Sequence, residues 1–254
     1  MVARLRAPDG CPWDREQTHA SLRSGLIEES HEVVEAIDGR DDAHLCEELG
    51  DLLLQVVMHS RIASEEKRFD FGDVARGITE KLIRRHPHVF GENKLDGTEA
   101  VLRQWDEIKR DEKGNKEASV LDGISSALPA LMRSEKVQKK AARVGFDWDN
   151  LDGVLSKIRE EISEVGEAAA SGEPEAIEEE IGDLLFSVVN LARKAKIDAE
   201  LSLHRSTGKF IRRFQKLESV LKQQGRKFEE VDLAQMDAIW EEIKAMEAAG
   251  RQKA

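Results

Sequence analysis

The sequence has no tyrosine and, among its 254 residues, only two cysteines, five prolines and four tryptophans. Cys11 and Cys46 lie in different contexts without C-x-x-C spacing, which argues against a disulfide scaffold or a cysteine-rich zinc site. Their simplest interpretation is a pair of reduced thiols, as in a cytoplasmic protein. Because proline interrupts helices, its low frequency favours long helical segments.

Long apolar runs and an excess of positive charge are also missing. No apolar run approaches the roughly 20 residues that a membrane helix needs. Residues 1–6 run directly into Pro8 and Gly10, so we expect no signal peptide. The net charge of −12 argues against DNA or RNA as a partner, because binding their phosphates needs clustered lysine and arginine. A small anionic substrate is compatible with this charge if metal ions screen it.

What the sequence does contain is an internal repeat. Residues 26–61 and 158–193 align without a gap at an offset of 132 and carry the same residue at fifteen of thirty-six positions. The chain is long enough for two domains, and 40% hydrophobic with 35% charged residues is typical of a helix-rich protein. We therefore predict an all-α fold of two tandem helical-bundle repeats, residues 1–117 and 118–254.

Each repeat carries two pairs of acidic residues that lie three positions apart. Residues at this spacing share one face of a helix, so each pair forms a two-carboxylate patch. Two such patches repel each other unless a cation lies between them, and oxygen ligands favour Mg²⁺ or Mn²⁺ over zinc or copper. The candidate metal ligands are Glu29, Glu32, Glu48 and Asp51 in the first repeat and Glu161, Glu164, Glu180 and Asp183 in the second.

The spacing of apolar residues predicts the helices that carry these pairs. In the first repeat we expect one helix from about residue 18 to residue 38 and a second from about residue 43 to beyond residue 62. The short turn between them should pack the two helices antiparallel, with their acidic patches side by side. Gly50 and Gly182, inside the second helix of each repeat, predict a close approach by the first helix or by a ligand, with a merely tolerated glycine as the alternative.

Two further motifs occur in both repeats. A K-x-x-R-R motif, which in the second repeat is Lys209, Arg212 and Arg213, is a candidate phosphate-binding segment, and a solvated basic face is the alternative. A tryptophan and a lysine four residues apart, Trp240 and Lys244, can present a ring to a base and an ammonium to a phosphate. Tryptophan is, however, more often a core residue.

Taken together, these motifs resemble the two-repeat MazG nucleoside triphosphate pyrophosphohydrolases. The resemblance rests on E-E-x-x-E followed by E-(L/I)-G-D-L-L, on G-C-P-W-D near the N-terminus, on R-R-H-P-H-V-F-G between the repeats and on L-P-A-L-M-R in the second. It covers essentially the whole chain. The family implies MazG-like helical units that form homodimers, Mg²⁺ bound by the carboxylates, and hydrolysis of an NTP or dNTP to the nucleoside monophosphate and pyrophosphate.

The resemblance also implies roles for particular residues, mainly in the second repeat. The implied metal ligands are Glu161, Glu164, Glu180 and Asp183, the implied phosphate-binding residues are Lys209, Arg212 and Arg213, and the implied nucleotide contacts are Trp240 and Lys244. The first repeat keeps its full carboxylate set, so its residues do not show it to be inactive. Glu160 or Glu179 is a candidate to accept the proton of the attacking water. Because metal and stacking contacts discriminate weakly between bases, we expect broad use of NTPs and dNTPs.

Two other interpretations remain. Glu28 and His31 have the E-x-x-H spacing of di-iron helical bundles, but that site needs two such motifs and the second repeat has Ser163 in place of the histidine. The other is a non-catalytic helical module that senses a nucleotide or a metal, or a scaffold with solvated acidic faces. Against the scaffold, the acids keep identical spacing while surface positions have diverged, as His44 and Ala176 illustrate.

Overall fold

The structure, a computed structural model, describes residues 1–91, 94–112 and 119–251. Within these ranges the chain consists of helices and turns without a β-strand, which confirms the all-α prediction. None of the described helices combines the length and apolar character needed to cross a membrane. The chain divides into two compact units, Met1–Lys116 and Glu117–Ala254. The predicted boundary between residues 117 and 118 lies outside the described residues.

The N-terminal unit is built around one long pair of helices. Its helices are α1 (Val2–Leu5), α2 (Pro12–Glu16), α3 (Arg23–Gly39), α4 (Asp42–Glu65), α5 (Phe71–Arg85), α6 (Pro87–Phe90) and α7 (Thr98–Glu112). Helices α3 and α4 pack along each other, and α1 and α5 pack against α4. Helix α4 is therefore the centre of this unit.

The C-terminal unit repeats the long pair and adds a long helix before it. Its helices are α8 (Ala130–Arg143), α9 (Leu151–Ser171), α10 (Pro174–Lys194), α11 (Ala199–Gln223) and α12 (Leu233–Arg251), with a 3-10 turn at Phe228–Glu230. Helix α9 packs along α10, α8 packs against α10 and α11, and α11 packs against α12. Helix α10 thus occupies the place that α4 has in the other unit.

Each long pair is a tight helical hairpin. Helix α3 ends at Gly39, and the next residue, Arg40, is in the left-handed conformation (φ 55°). The Asp41 side chain accepts hydrogen bonds from backbone N–H groups in the first turn of α4. In the second hairpin Gly172 is left-handed (φ 75°), and Pro174 is the first residue of α10. These short connections make the two helices of each pair antiparallel, as the sequence predicts.

Helix α3 begins at Arg23, not near residue 18. The Thr18 backbone N–H donates to Ser21 Oγ at 2.9 Å, and the Ser21 N–H donates to Thr18 Oγ1 at 3.1 Å. Such side chain to backbone bonds stabilise a turn in competition with a helix. The predicted start near Thr18 is wrong for this reason.

Gly50 and Gly182 are exposed in the middle of α4 and α10. Apart from the glycine's chain neighbours and the nearby backbone of its own helix, a Cβ atom added to either glycine would have no described atom within 4 Å. The predicted close contact with the first helix of each hairpin is therefore wrong. A close approach by a ligand remains a prediction.

Two clusters of buried apolar side chains, one inside each unit, hold the helices of that unit together. Their members are Val2, Leu22, Met58 and Ile62 in the N-terminal unit and Leu217, Leu221, Ile239 and Ile243 in the C-terminal unit. The second cluster lies between α11 and α12. It therefore fixes the helix with the K-x-x-R-R motif against the helix with the tryptophan and lysine.

The loop before α9 is tied to the end of α10 by an ion-pair network. Asp147 accepts a hydrogen bond from Arg193 Nη1 at 3.2 Å and pairs with Lys194 Nζ at 3.0 Å. The Lys194 ammonium also donates to the backbone carbonyl of Trp148. Hydrogen bonds from Arg193 and Lys194 lower the pKa of Asp147 to about 2, although partial burial acts in the opposite direction.

This network predicts a pH-dependent effect of Asp147→Asn. Near neutral pH we expect the variant to lose roughly 1–2 kcal/mol of unfolding free energy, because the carboxylate charge is stabilised in the folded state. A lowered pKa gives stability that is complete above the unfolded pKa, about 4, and is lost as the pH falls through about 2. Urea denaturation across this range should therefore show the difference from wild type shrinking towards zero. Asp149→Asn in the same exposed loop is the control, and an equal loss at every pH would contradict the explanation.

Candidate metal and nucleotide site

Three carboxylates of the C-terminal unit converge between α9 and α10. Glu161 and Glu164 lie one turn apart on α9, and Glu180 comes from α10. One oxygen of each carboxylate lies within 4.8 Å of an oxygen of the other two. The antiparallel hairpin is what brings these acids together, and their convergence provides a candidate site for a divalent cation.

The burial of Glu161 indicates that a positive ligand fits this cluster. Glu161 is 3% exposed, and its Oε2 atom has no hydrogen-bond partner among the described residues. A buried carboxylate oxygen without a partner is unfavourable unless a cation or a proton binds it. Because the cluster offers carboxylate oxygens alone, it suits a hard divalent ion such as Mg²⁺ or Mn²⁺.

The electrostatics of Glu164 point in the same direction. Burial raises the pKa of Glu164, and the charges of Glu161 and Glu180 raise it further, while Lys157 lowers it. Without a cation, Glu164 therefore holds its proton more readily than a free glutamate does. Proton and metal binding compete at such a group.

Lys157 belongs to this site and was not predicted. Its Nζ atom lies 2.8 Å from Oε1 of Glu161 and 2.8 Å from Oε1 of Glu160. Both carboxylates raise the pKa of Lys157, so its ammonium stays charged. The four-residue spacing from Lys157 to Glu161 is visible in the sequence, but ordinary surface ion pairs have the same spacing. The internal repeat does not identify Lys157 as a site residue either, because the residue equivalent to it in the first repeat is Gly25.

Three other predicted residues lie at the edge of the cluster. Asp183 is exposed one turn after Glu180 and is not part of the three-carboxylate group. Glu160 is exposed and paired with Lys157. Glu179 is exposed beside Glu180.

The N-terminal unit has a related cluster between α3 and α4. It consists of Glu29, Glu48 and Asp51, and Glu32 is not a member. Glu48 is buried, and its Oε1 atom lies 2.9 Å from Nε2 of His44. Burial raises the pKa of Glu29, and the charges of Asp51 and Glu32 raise it further. The predicted repetition of the acidic site thus corresponds to two clusters of similar, but not identical, membership.

The histidine of the E-x-x-H sequence does not join this cluster. The Nδ1 atom of His31 lies 2.7 Å from the carbonyl oxygen of Ile27 in its own helix. Neither metal-ligand group among the described residues includes His31. The geometry therefore gives the di-iron interpretation no support.

In both units the second arginine of the K-x-x-R-R motif forms an ion pair. Arg213 Nε lies 2.9 Å from Oε2 of Glu247 on α12. In the first repeat the motif is Lys81, Arg84 and Arg85, and there both Arg85 and Arg84 pair with Glu112 on α7. Hydrogen bonds from Lys216 and Arg213 lower the pKa of Glu247 to about 2. This arginine therefore connects two helices in each unit.

The other members of the motif remain accessible. Lys209 and Arg212 are exposed on α11. Neither of them forms an ion pair among the described residues. No described contact joins them to the carboxylates, so their role in phosphate binding stays a prediction.

Trp240 lies at the edge of the apolar cluster between α11 and α12. Its ring packs against that cluster, and its centroid is 5.1 Å from the ring centroid of Phe210. Phe210 is 56% exposed. Lys244 forms an ion pair with Glu241 at 2.7 Å. Phe210 was not predicted, because its neighbour Trp240 lies on another helix and only packing shows the pair.

Comparisons with known proteins agree with this geometry. The family profile of the MazG nucleotide pyrophosphohydrolase domain matches residues 17–90 and 150–218, and each matched segment contains one carboxylate cluster. The two matches confirm the predicted pair of MazG-like repeats.

Relatives align with nearly the whole chain. A Thermotoga maritima protein named nucleoside triphosphate pyrophosphohydrolase/pyrophosphatase MazG is 47% identical over 244 residues, covering 96% of this chain and 93% of its own. An Escherichia coli (strain K12) nucleoside triphosphate pyrophosphohydrolase is 45% identical over 251 residues, covering 97% and 95%. A Mycobacterium tuberculosis protein with that name is 40% identical over 148 residues, covering 58% of this chain and 44% of its own. The chain belongs to the MazG nucleotide pyrophosphohydrolase family.

Proposed function

We propose that the chain is a nucleoside triphosphate pyrophosphohydrolase, which hydrolyses NTPs and dNTPs to the monophosphate and pyrophosphate in its C-terminal unit. The observation that carries this proposal is the convergence of Glu161, Glu164 and Glu180 beside the Lys157 ammonium. Carboxylates that can hold a divalent cation next to a fixed positive charge suit the polyphosphate of a nucleotide. The names of the Thermotoga maritima and Escherichia coli relatives describe this activity.

The three carboxylates are the proposed ligands of Mg²⁺, with Mn²⁺ as a substitute. When bound, the ion supplies charge neutralisation for the triphosphate and lowers the pKa of a water molecule. Asp183 is exposed one turn from Glu180 and offers a further carboxylate at the edge of the cluster. The buried and unpartnered Oε2 atom of Glu161 supports this assignment.

We propose that Lys157 binds a phosphate group of the substrate. Glu160 is the proposed proton acceptor. The Lys157 side chain is 36% exposed between two carboxylates, so it can exchange one of them for a phosphate oxygen. Glu160, once released from Lys157, is a free carboxylate beside the reacting groups. It can then accept the proton of the attacking water.

The remaining nucleotide contacts are assigned to α11 and α12. Lys209 and Arg212 are accessible for phosphate oxygens, and Trp240 with Phe210 offers aromatic surface for a base. Arg213 acts mainly by joining the two helices through Glu247, and Lys244 remains a candidate contact. Stacking on a ring accepts every base, which is why we expect broad NTP and dNTP use.

We expect the chain to act as a homodimer. Apolar side chains are exposed along α9 and α10, and they are Ile162, Ile181, Leu185, Phe186 and Val188. An exposed apolar surface of this kind supports association with a second copy. A cytoplasmic location and the absence of a nucleic acid partner are predictions from the sequence.

Product analysis tests the proposed activity. The chain is incubated with a panel of NTPs and dNTPs and Mg²⁺, and the products are separated by ion-exchange chromatography. We expect monophosphate and pyrophosphate from several bases. Release of diphosphate and phosphate, or no release, would contradict the proposal and favour a non-catalytic module that senses a nucleotide or a metal.

Substitution of Lys157 tests its proposed role. Because a hydrogen bond between charged groups is worth about 1.5–3 kcal/mol, Lys157→Gln should lower kcat/KM roughly 10- to 100-fold. Steady-state pyrophosphate release measures the effect. The matched control is Arg159→Gln, which removes an exposed positive charge from the same helix. Equal kinetics for the two variants would exclude Lys157 from phosphate binding.

A further inference from the structure

We propose that His19, His59 and Arg68 form a pH-sensitive latch, which is closed while both histidines are neutral and opens when either takes up a proton. The latch lies in the N-terminal unit and connects the turn before α3, helix α4 and the turn after α4. It is separate from both carboxylate clusters and does not depend on the proposed hydrolysis. The direction of its hydrogen bonds, its burial and an adjacent cavity support it.

The first observation is a chain of three polar side chains. The rings of His19 and His59 are parallel to within 5°, and their Nδ1 atoms lie 2.7 Å apart. The other ring nitrogen of His19, Nε2, lies 2.6 Å from Nη2 of Arg68. His19 therefore bridges α4 and the turn that follows it.

The direction of each hydrogen bond in this chain follows from the chemistry of its ends. The guanidinium of Arg68 has no acceptor, so it donates to Nε2 of His19. A neutral His19 then carries its hydrogen on Nδ1 and donates it to Nδ1 of His59. A protonated imidazole has a hydrogen on both nitrogens and accepts none. Protonation of His19 thus sets two donors against each other at Arg68, and protonation of His59 does the same at His19.

The second observation is the burial of His59. Its Nε2 atom, which carries the hydrogen in this arrangement, is buried without a hydrogen-bond partner among the described residues. A charged ring in this place would lack an acceptor for that hydrogen. Burial lowers the pKa of His59, and the charge of His19 lowers it further. The closed latch therefore contributes its full stability above the ordinary histidine pKa of about 6.5 and loses it as the pH falls through the lowered value.

The third observation is a cavity of about 460 Å³ beside His19. The charged side chains that line it are Arg6, Arg15, Glu16, Glu65 and Glu66. Glu66 pairs with Arg68 at 2.6 Å, and Glu65 pairs with Arg6 at 2.8 Å and with Arg61 of α4 at 2.9 Å. In the part of the chain that the structure describes, no hydrogen bond or ion pair joins either histidine to α1, α3 or α5. A protonated His19 can turn from Arg68 towards the carboxylates of the cavity, which gives the latch a second position.

The latch acts on the starts of two helices. The turn that holds His19 leads into α3, which carries Glu29, and the turn that holds Arg68 leads into α5, which carries the K-x-x-R-R motif of the first repeat. Opening of the latch releases both turns from α4. Acidic pH should therefore loosen these turns while the helices themselves remain.

NMR of the full-length chain tests the hydrogen bonds. The seven histidines are labelled with ¹⁵N, and single His19→Asn and His59→Asn variants assign the two signals. At neutral pH we expect the hydrogen of His19 on Nδ1 and that of His59 on Nε2. His59 should take up its proton below about pH 6.5, and His19→Asn should raise this midpoint by roughly half a unit or more. The opposite tautomers, or a midpoint of His59 at or above that of a free histidine, overturn the latch.

Amide hydrogen exchange tests the release of the turns. Exchange of residues 18–22 and 66–70 is followed by mass spectrometry as the pH falls, after correction for the intrinsic effect of pH. We expect the protection of both turns in the wild type to fall roughly tenfold once His59 is protonated. Peptides from the middle of α4 should keep their protection.

The matched variant combines His19→Asn with His59→Asn. An asparagine amide places a donor or an acceptor where histidine has Nδ1, but it takes up no proton, so the protection of the turns should not change with pH. His204→Gln removes an exposed histidine of the C-terminal unit and should behave like the wild type. Circular dichroism verifies that each variant stays helical. An equal loss of protection in the double variant and the wild type shows that other groups cause the release and contradicts the proposal.

Discussion

Glu180→Gln is expected to lower kcat/KM for nucleoside triphosphate hydrolysis on the order of 10³-fold, because it removes a charged ligand from the proposed cation site. Glutamine keeps the size of the side chain, so the packing of α10 against α9 should be retained. The remaining carboxylates, Glu161 and Glu164, cannot replace the missing charge. Pyrophosphate release at saturating Mg²⁺ measures the loss, and circular dichroism verifies the fold.

Two comparisons make this result specific. Glu178→Gln changes an exposed glutamate on the same helix and should leave kcat/KM close to wild type. Glu48→Gln makes the equivalent change in the N-terminal cluster and should retain hydrolysis, since that unit has Gly25 where the other has Lys157. If Glu48→Gln abolishes hydrolysis and Glu180→Gln does not, the catalytic unit has been assigned to the wrong repeat.

Leu221→Ala should give the largest loss of stability, about 2–5 kcal/mol of unfolding free energy. Leu221 is 2% exposed and packs among Leu217, Ile239 and Ile243, so truncation leaves a cavity between α11 and α12. Urea denaturation followed by circular dichroism measures the change. The same cavity loosens the helices that carry Lys209 and Trp240, so nucleotide affinity should fall as well.

The control for this prediction is Leu203→Ala on the same helix. Leu203 is 56% exposed, so its truncation removes little buried surface and should change the unfolding free energy by less than about 1 kcal/mol. Similar losses in both variants would show that the cluster between α11 and α12 does not determine the stability of the C-terminal unit.

The acidic residues show how far sequence reasoning reaches at this site. Glu161 and Glu164 lie three apart on a helix, and that spacing alone places them on one face. The short turn before Pro174 then predicts that Glu180 lies opposite them. The convergence of these three groups follows from the helix period and a tight turn, which are local properties.

Other members of the site could not be predicted in this way. Lys157 has the spacing of a common surface ion pair, and Gln55 has no charge or motif to distinguish it. Phe210 meets Trp240 only because α11 packs on α12. Arg213 belongs to a predicted phosphate-binding motif, yet its partner in the structure is Glu247. The contacts of Gln55, Phe210 and Arg213 depend on side-chain packing between helices, whereas Lys157 pairs with Glu161 within α9.

By itself, the sequence determined the all-α class, the two repeats, the hairpins and the acidic faces. These features depend on helical periodicity, turn residues and repetition, and all three can be recognised from the order and spacing of residues in the sequence. Tertiary structure decided which three of four acids converge in each unit, and it decided that Lys157 stands beside one cluster and Gln55 beside the other. Distances of a few ångströms between side chains depend on how the helices pack, and residue spacing alone does not specify that packing.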